Sequence, residues 1–488
     1  MKFKPYLISL LATAVPNALG FLAFPLYAKA LGAADYGTVA LLEAYQGILS
    51  ILLFVGMGTA FYVFYSHAKE EQEQKQIFAS SFFFGLWILA FALGVTSFSP
   101  QISNLLFQTH STAPFVAIYA FALFSDYMLT LINSYLRVEG KISSLAINAI
   151  FISLVHHGLS FYVVVIRGGD IADFITIFMI TKSSALLIVG YHIKRLNLPI
   201  SRNFVFLPLL WKMLRFGAPL ILTALTGWVL LLSDRLFINY YVTMTDVGIY
   251  AVAYKFAMGL WIGIVQPFMT VWEPSLFKVF QANAQEGYLK LKKDFTLYLG
   301  GIVILFSAFI LFIGNILELI FAHSEYAHEN TIIYLLTASY FLMAIGEMCA
   351  SVCRLNKTSK FALWVTLAVI SSKIALNIIL IPRYLLIGAA AGSVIAELLA
   401  QVIMVGFAIH LMKSYKFFFS AKNAALFVLF CATECFLYVA PGATLVIKIA
   451  YFAGLLTIAA GLIISKIRVS VDRVPHQESS FFSMKFSL

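Results

Sequence analysis

Ionisable side chains stranded in long apolar runs are the residues of this sequence with chemistry to do. Glu43, Asp126, Lys182, Arg235, Lys255, Lys373, Glu397, Glu434 and Lys448 each lie in a stretch otherwise poor in charge. A charge in hydrocarbon is costly, so each requires a partner, a wet cavity or a function. Acid and lysine at matching depth suit either a neutral ion pair or a carboxylate that exchanges a proton or Na⁺ while its lysine answers. Metal chemistry finds no comparable support. His156 and His157 are adjacent, about 100° apart on a helix, and cannot ligate one ion from one face. Cys349/Cys353 and Cys431/Cys435 are i,i+4 pairs with no further ligand nearby, and read as packing residues.

The elements that position these groups follow from composition. The chain is 61% hydrophobic and 11% charged, with mean hydropathy +0.92. A soluble domain of this length would need far more polar surface, so lipid is the solvent. Apolar runs of about twenty residues, without the alternation of barrel strands, identify transmembrane helices. About fourteen spans are expected, at roughly 6–29, 38–64, 77–98, 114–136, 142–166, 171–193, 217–241, 248–272, 295–321, 331–352, 360–381, 386–412, 423–440 and 443–465. The first is too long for a cleavable signal and is read as a retained helix.

Topology follows from the lysines and arginines. Only Lys29, Arg167 and Arg383 fall opposite the N-terminus and five lie within spans, so 25 of the 33 share the N-terminal side. That asymmetry makes both termini cytoplasmic, and an even span number preserves it. It accounts for the net charge of +11 without nucleic-acid binding. The chain also repeats. Asp35-Tyr36-Gly37 and Asp246-Val247-Gly248, Arg137 and Arg354, Arg167 and Arg383, and Gly190 and Gly406 recur in order at spacings of 211 to 217 residues. The expectation is an all-α polytopic protein. Two parallel six-helix lobes (1–193 and 217–412) are joined by a cytoplasmic interfacial linker (194–216) and followed by an extra hairpin (413–465) and a cytoplasmic tail (466–488). Leu209, Leu210, Met213 and Leu214 against Lys212 and Arg215 make the linker amphipathic.

Depth sorts the charges. At ~1.5 Å per residue, Glu434 and Lys448 lie ~8–9 Å below the outer ends of spans thirteen and fourteen, and are expected to pair across the hairpin turn. Asp126 and Lys182 are both ~17–18 Å deep, Lys373 ~12 Å and Glu397 ~17 Å. Each set is expected either to pair within its lobe or to couple transport to H⁺ or Na⁺. Glu43 (~8 Å) and Lys255 (~10 Å) occupy counterpart spans two and eight. Arg235 falls ~27 Å along span seven, near the outer surface of a ~30 Å core.

Leu214-Arg-Phe-Gly-Ala-Pro219, Ser233-Asp-Arg-Leu-Phe-Ile238 and Asp246-Val-Gly-Ile-Tyr-Ala-Val-Ala-Tyr254 carry a likeness, with further echoes at Leu31-Gly32, Asp35-Tyr-Gly37, Asn377–Pro382 and Gly388-Ala-Ala-Ala-Gly392. Over about residues 1–412 the chain resembles the polysaccharide export family, the O-antigen and capsule-type flippases of the multidrug/oligosaccharidyl-lipid/polysaccharide exporter superfamily. The resemblance implies two six-helix bundles around a central cleft that opens alternately to each face. It implies as cargo a polyprenyl-diphosphate-linked oligosaccharide moved from the inner to the outer leaflet of the cell inner membrane. The drug-extruding branch shares the fold, so fold fixes architecture better than cargo.

On that resemblance Glu43 and Lys255 line the cleft from opposite lobes, as a latch that diphosphate releases by competing for the lysine. The alternative for Lys255 is snorkelling to the outer interface. Arg235 either anchors that interface or meets the departing diphosphate, and Tyr254 or Tyr45 could stack on sugar rings. Substrate or cleft residues are therefore Lys255, Arg235, Glu43 and Tyr254; ion-coupling candidates are Asp126, Lys182, Lys373 and Glu397. Expected partners are the lipid-linked glycan, membrane lipids, a coupling cation and a polysaccharide polymerase; no cofactor is implied. An ion-coupled drug extruder is the competing reading. A membrane polymerase or ligase is weaker: the longest outer loop, about 99–113, holds no acid and only His110, and His323, Glu325, His328 and Glu329 sit on a short turn.

Overall fold

A computed structural model of the 488-residue chain describes residues 3–322, 324–326, 330–355, 359–412, 420–440 and 443–469. His323, His328, Glu329 and the tail from 470 lie outside them. The described residues form helices joined by short turns, with no strand. In chain order these are α1 (Phe3–Leu31), α2 (Ala33–Phe54), α3 (Met57–His67), α4 (Glu71–Ser97), α5 (Ser99–Phe107), α6 (Ala113–Val138), α7 (Ile142–Ser160) and α8 (Ile171–Arg195). There follow α9 (Leu207–Tyr241), α10 (Met244–Leu260), α11 (Gln266–Ala282), α12 (Ala284–Phe321), α13 (Asn330–Leu355), α14 (Ser359–Met412), α15 (Ala421–Val439) and α16 (Leu445–Val469).

Among the described residues, twelve helical stretches are long and apolar enough to cross a membrane. One of them, 367–411, lies within α14, which turns back at Leu385 (φ 51°, ψ −132°) and so holds two of the expected spans. With α15, of 19 residues, the helices account for all fourteen expected crossings. The segment 99–113, expected as a loop, is largely the helix α5. The side carrying the N-terminus and most lysines and arginines is called the basic side below.

Two departures from regular helix shape the region of interest. Span two is broken at Val55 (φ 48°) and Gly56 (φ 63°), which separate α2 from α3. A β-branched residue in the left-handed region is strained by roughly 1–3 kcal/mol, so surrounding packing must hold the break. The packing is Gly217: a Cβ there would stand 1.9 Å from the Val55 carbonyl oxygen. Span eight likewise leaves α-geometry, through a π-helical turn at Trp261–Val265 between α10 and α11. Extra residues in a helical turn re-aim its side chains and are frequent near functional sites.

The expected linker does not stand apart from span seven. Residues from Leu207 are already in α9, a 35-residue helix. Its Leu209 and Met213 join the apolar cluster of α3, α4 and α6 that includes Phe61, Phe78, Tyr127 and Leu131. Ser80 Oγ of α4 accepts from the Phe206 backbone N–H at 3.0 Å, tying the start of α9 down. Trp211 stays 57% exposed on the other face, consistent with an amphipathic surface at a membrane boundary.

Two compact units make up the chain: Met1–Ile262 with Ile316–Tyr340 and Ser359–Ala400, and Gly263–Asn315 with Phe341–Thr358 and Gln401–Leu488. The first holds most of the intramembrane charges. In the second, Arg354 is clamped by Glu273 at 2.5 Å and Glu347 at 2.8 Å. Lys448 donates to Asn315 Oδ1 of α12 at 2.9 Å, while Glu434 Oε1 is buried with no hydrogen-bond partner. The pair expected of Glu434 and Lys448 is therefore not formed: matching depth does not fix direction, and the lysine on the first turn of α16 faces α12.

Candidate functional site

Opposite the basic side, α2 and α10 touch backbone to backbone. A Cβ on Gly37 would lie 2.2 Å from the Met244 carbonyl oxygen, and one on Gly248 would lie 1.9 Å from that of Ala33. These glycines end the repeated Asp-x-Gly triplets, so counterpart positions of the repeat meet face to face. Small residues allow such close approach, and in lipid van der Waals packing of this kind is a principal source of helix association. Gly32 (φ 80°) makes the turn that leads into α2.

About two helical turns deeper, the same two helices carry a charge cluster. Glu43 of α2 faces Lys255 of α10 at 3.4 Å and Arg235 of α9 at 3.6 Å. Arg235 also donates to the Ala40 carbonyl of α2 at 3.0 Å and lies over the Tyr254 ring at 5.9 Å. Lys255 lies over the Tyr36 ring at 5.2 Å. Trp228 of α9 donates to the Ala44 carbonyl at 2.8 Å, and Gly47 leaves room for its indole, 3.1 Å from where a Cβ would stand. One carboxylate thus serves two cations and the cluster is net positive. Access is uneven: the Glu43 side chain is 40% exposed, Lys255 21% and Arg235 4%. The exposed member of the cluster is the acid that a competing anion would displace.

Two sequence expectations change here. Arg235 is not an interface anchor, because α2 and α10 close over it; counting residues along one helix cannot see that cover. Tyr254, expected to stack on sugar, is 4% exposed, with its ring between Arg235 and the edge of Tyr340, centroids 5.7 Å apart. No sugar reaches it in this conformation. Tyr45 is half-buried.

A second network lies next to this one through the peptide link of Asp234 to Arg235. Adjacent residues on a helix point about 100° apart, so Arg235 reaches α2 while Asp234 turns to α10 and α14. Asp234 and Lys373 are each 1% exposed and 2.8 Å apart. Asp234 also accepts from Asn377 at 2.7 Å, Tyr250 at 2.6 Å and Ser393 at 3.2 Å, and Lys373 donates to Ser393 Oγ. A buried ion pair is retained only when its remaining hydrogen-bonding capacity is met, as it is here for the carboxylate. Lys373 was expected to answer Glu397 within its lobe; its carboxylate partner is instead Asp234, a residue to which the sequence reading gave no role. Asn377 falls in a segment noted only for family likeness, and Ser393 directly follows another.

The third group is simpler. Asp126 of α6 accepts from Lys182 of α8 at 2.6 Å and from Gln46 of α2 at 2.6 Å. Gln46 is three residues from Glu43, so α2 carries both contacts on neighbouring faces. His156 and His157 pack against Phe174 and Tyr27, with the Tyr27 hydroxyl donating to the His157 carbonyl at 3.0 Å.

Comparison with known proteins agrees with this architecture. Among solved structures the chain is similar to the lipid II flippase MurJ in an inward closed conformation. The TM-score is 0.71 at 17% identity, over 95% of this chain and 100% of that one. It is also similar to an inward-facing multidrug resistance MATE family transporter of the MOP superfamily (TM-score 0.63, 16% identity, 83% of this chain and 99% of that one). A third match is the eukaryotic MATE transporter AtDTX14 (TM-score 0.53, 12% identity, 88% and 99%). At such identities the likeness concerns fold. No curated protein sequence matches the chain. The family model described as polysaccharide biosynthesis protein matches residues 4–280, more than half of the chain. This multi-pass membrane protein, with the fold of the flippases and multidrug exporters, belongs to the polysaccharide biosynthesis protein family.

Proposed function

We propose that the chain is a flippase that moves an oligosaccharide on a polyprenyl diphosphate from the inner to the outer leaflet of the cytoplasmic membrane by alternating access. Both termini lie in the cytoplasm, and the saccharide is an O-antigen, capsule or similar repeat unit. The observation that carries the reading is one carboxylate, Glu43, shared by Lys255 and Arg235. A diphosphate brings charge and bidentate geometry for a guanidinium. It replaces Glu43 on its two cations, and the freed acid no longer holds α2 to α10. Binding and release of the outer contact are then one event. The lobes 1–193 and 217–412 are the moving bodies, and the Gly37–Gly248 contact is the outer gate in its closed state.

The fold's likeness to multidrug transporters supports a second reading, extrusion of small organic molecules coupled to H⁺ or Na⁺. Against it, a net-positive cluster repels a cationic drug. Asp126 and Asp234, two deep carboxylates able to exchange a coupling ion, each already hold a lysine ammonium. A polymerase partner would consume the delivered product on the outer face. Proteoliposomes containing the protein and a fluorescent polyprenyl-diphosphate saccharide separate the readings. The flippase reading expects the probe to become quenchable from the far leaflet; the extruder reading expects accumulation of a dye cation and no probe movement.

A further inference from the structure

On the basic side, away from the cluster just described, a cavity of about 550 Å³ opens between α3 and α6. It is lined by Thr59 and Tyr62 of α3 and by Thr130, Asn133, Ser134 and Arg137 of α6. The α6 residues fall at i, i+3, i+4 and i+7, a single face of the helix, and Thr59 and Tyr62 are one turn apart on α3. Gly58 lets the helices approach, since a Cβ there would meet Thr130 Cγ2 at 2.9 Å. The polar stripe runs ~10 Å along α6, from Arg137 near its basic-side end inward to Thr130.

These polar groups have no work inside the protein. Among the described residues none of the six side chains makes a hydrogen bond or ion pair, and Asn133 Oδ1 is buried without a partner. The repeat sharpens the point. Arg354, the counterpart of Arg137, is neutralised by Glu273 and Glu347. Arg137 keeps the same place in its own half and is exposed, with no carboxylate on it. The nearest acid in sequence, Glu139, is itself 3.8 Å from Lys141. One repeat uses this arginine as a brace; the other leaves a guanidinium, four hydroxyls and an amide facing one cavity.

We infer that this cavity is the first capture site for cargo. Arg137 takes the diphosphate of a polyprenyl-diphosphate saccharide, and the Thr59, Tyr62, Thr130, Asn133 and Ser134 groups hydrogen-bond the first sugar. The inference rests on the flippase reading and adds to it a second site, distinct from Glu43, Lys255 and Arg235. A guanidinium at the mouth selects phosphate oxygens, while hydroxyls and an amide deeper in match sugar hydroxyls as both donors and acceptors.

The test titrates the full-length protein in detergent with three probes by native mass spectrometry. These are a short-chain polyprenyl diphosphate carrying N-acetylglucosamine, the same chain as a monophosphate without sugar, and phosphatidylglycerol. The wild type is expected to prefer the diphosphate saccharide over both others. Loss of one charge-assisted contact in Arg137→Gln is expected to weaken its binding about tenfold. Arg137→Lys should recover part of that loss, and Asn133→Ala should weaken the saccharide probe while leaving the monophosphate unchanged. Arg137 is exposed and the buried Asn133 Oδ1 has no partner, so these substitutions remove no polar contact among the described residues. Wild-type affinity in both Arg137→Gln and Asn133→Ala overturns the capture site while the flippase reading stands. A wild type that binds phosphatidylglycerol equally well marks an ordinary lipid contact and also overturns it. A wild type that binds no diphosphate lipid removes the flippase reading, and the capture site with it.

Discussion

Neutralising Glu43 should alter binding and release in opposite directions, and this is the sharpest consequence of the shared carboxylate. In the structure Glu43 stands 3.4 Å from Lys255 and 3.6 Å from Arg235. Each contact corresponds to about 5 kcal/mol of Coulomb attraction at an effective dielectric constant near 20. The cost of desolvating the three charges offsets most of this, leaving about 1–2 kcal/mol to be lost from the closed state in Glu43→Gln. The two cations then face each other with no counter-charge, so an anionic ligand binds more tightly and leaves more slowly. Expected for Glu43→Gln is about a tenfold gain in affinity for a polyprenyl-diphosphate saccharide, with a fall in turnover of similar size. Lys255→Met does the reverse to binding: Glu43 and Arg235 remain as a neutral pair, and affinity drops about tenfold. The Glu43→Lys/Lys255→Glu exchange keeps the charge count and should restore transport lost in either single variant. Equilibrium binding and probe movement in the same proteoliposome preparation give both numbers. Wild-type transport in both neutral variants, or affinity changes of the same sign, would refute the competition argument.

The remaining predictions concern packing. Gly248→Ala places a methyl group 1.9 Å from the Ala33 carbonyl oxygen, so α2 and α10 must separate. Thiol labelling of a cysteine placed at Ala33, buried in the closed contact, should rise sharply, and unchanged labelling would show that the glycine contact is not the closed gate. Gly217→Ala meets the Val55 carbonyl at the same 1.9 Å and should displace the break in span two, costing at least tenfold in transport. Melting is expected to fall as well, because the clash is with backbone; a transport loss no larger than the loss of folded protein would make the break purely structural. Lys373→Met leaves the buried Asp234 carboxylate without its counter-charge and should destabilise the protein by about 3–5 kcal/mol. The Asp234→Leu/Lys373→Leu double variant should lose much less, as read from thermal unfolding followed by fluorescence size exclusion. Equal loss in both would contradict the ion-pair account.

Much of the architecture was legible because lipid imposes simple rules. Span length, the one-sided lysines and arginines, and repeated triplets each have one physical cause and survive without tertiary detail. The matching depths of Glu43 and Lys255 were legible for the same reason, since rise per residue is fixed in a helix. Depth says nothing about azimuth: Asp126 and Lys182 meet as expected at 2.6 Å, whereas two other expected pairs do not form. Lys373 and Lys448 point to Asp234 and Asn315 rather than to Glu397 and Glu434. Asp234 was hidden by its neighbour: Arg235 drew the chemistry, although side chains adjacent on a helix serve different partners. The stripe Thr130, Asn133, Ser134 and Arg137 was visible at helical spacing, and attention to intramembrane charge alone passed over it. The left-handed Val55 had no signal, because a β-branched residue there runs against local preference and is held by Gly217 more than a hundred residues away.

Lipid-linked cargo is the central claim, and depletion of the protein in its own cell tests it most directly. Polyprenyl-linked lipids are extracted during depletion, analysed by mass spectrometry, and probed in intact cells with a membrane-impermeant glycan-modifying reagent. The account predicts accumulation of a saccharide-bearing polyprenyl diphosphate protected from the reagent, reversed by wild-type protein but not by Lys255→Met. An unchanged lipid pool, with increased sensitivity to small toxic cations instead, would contradict it.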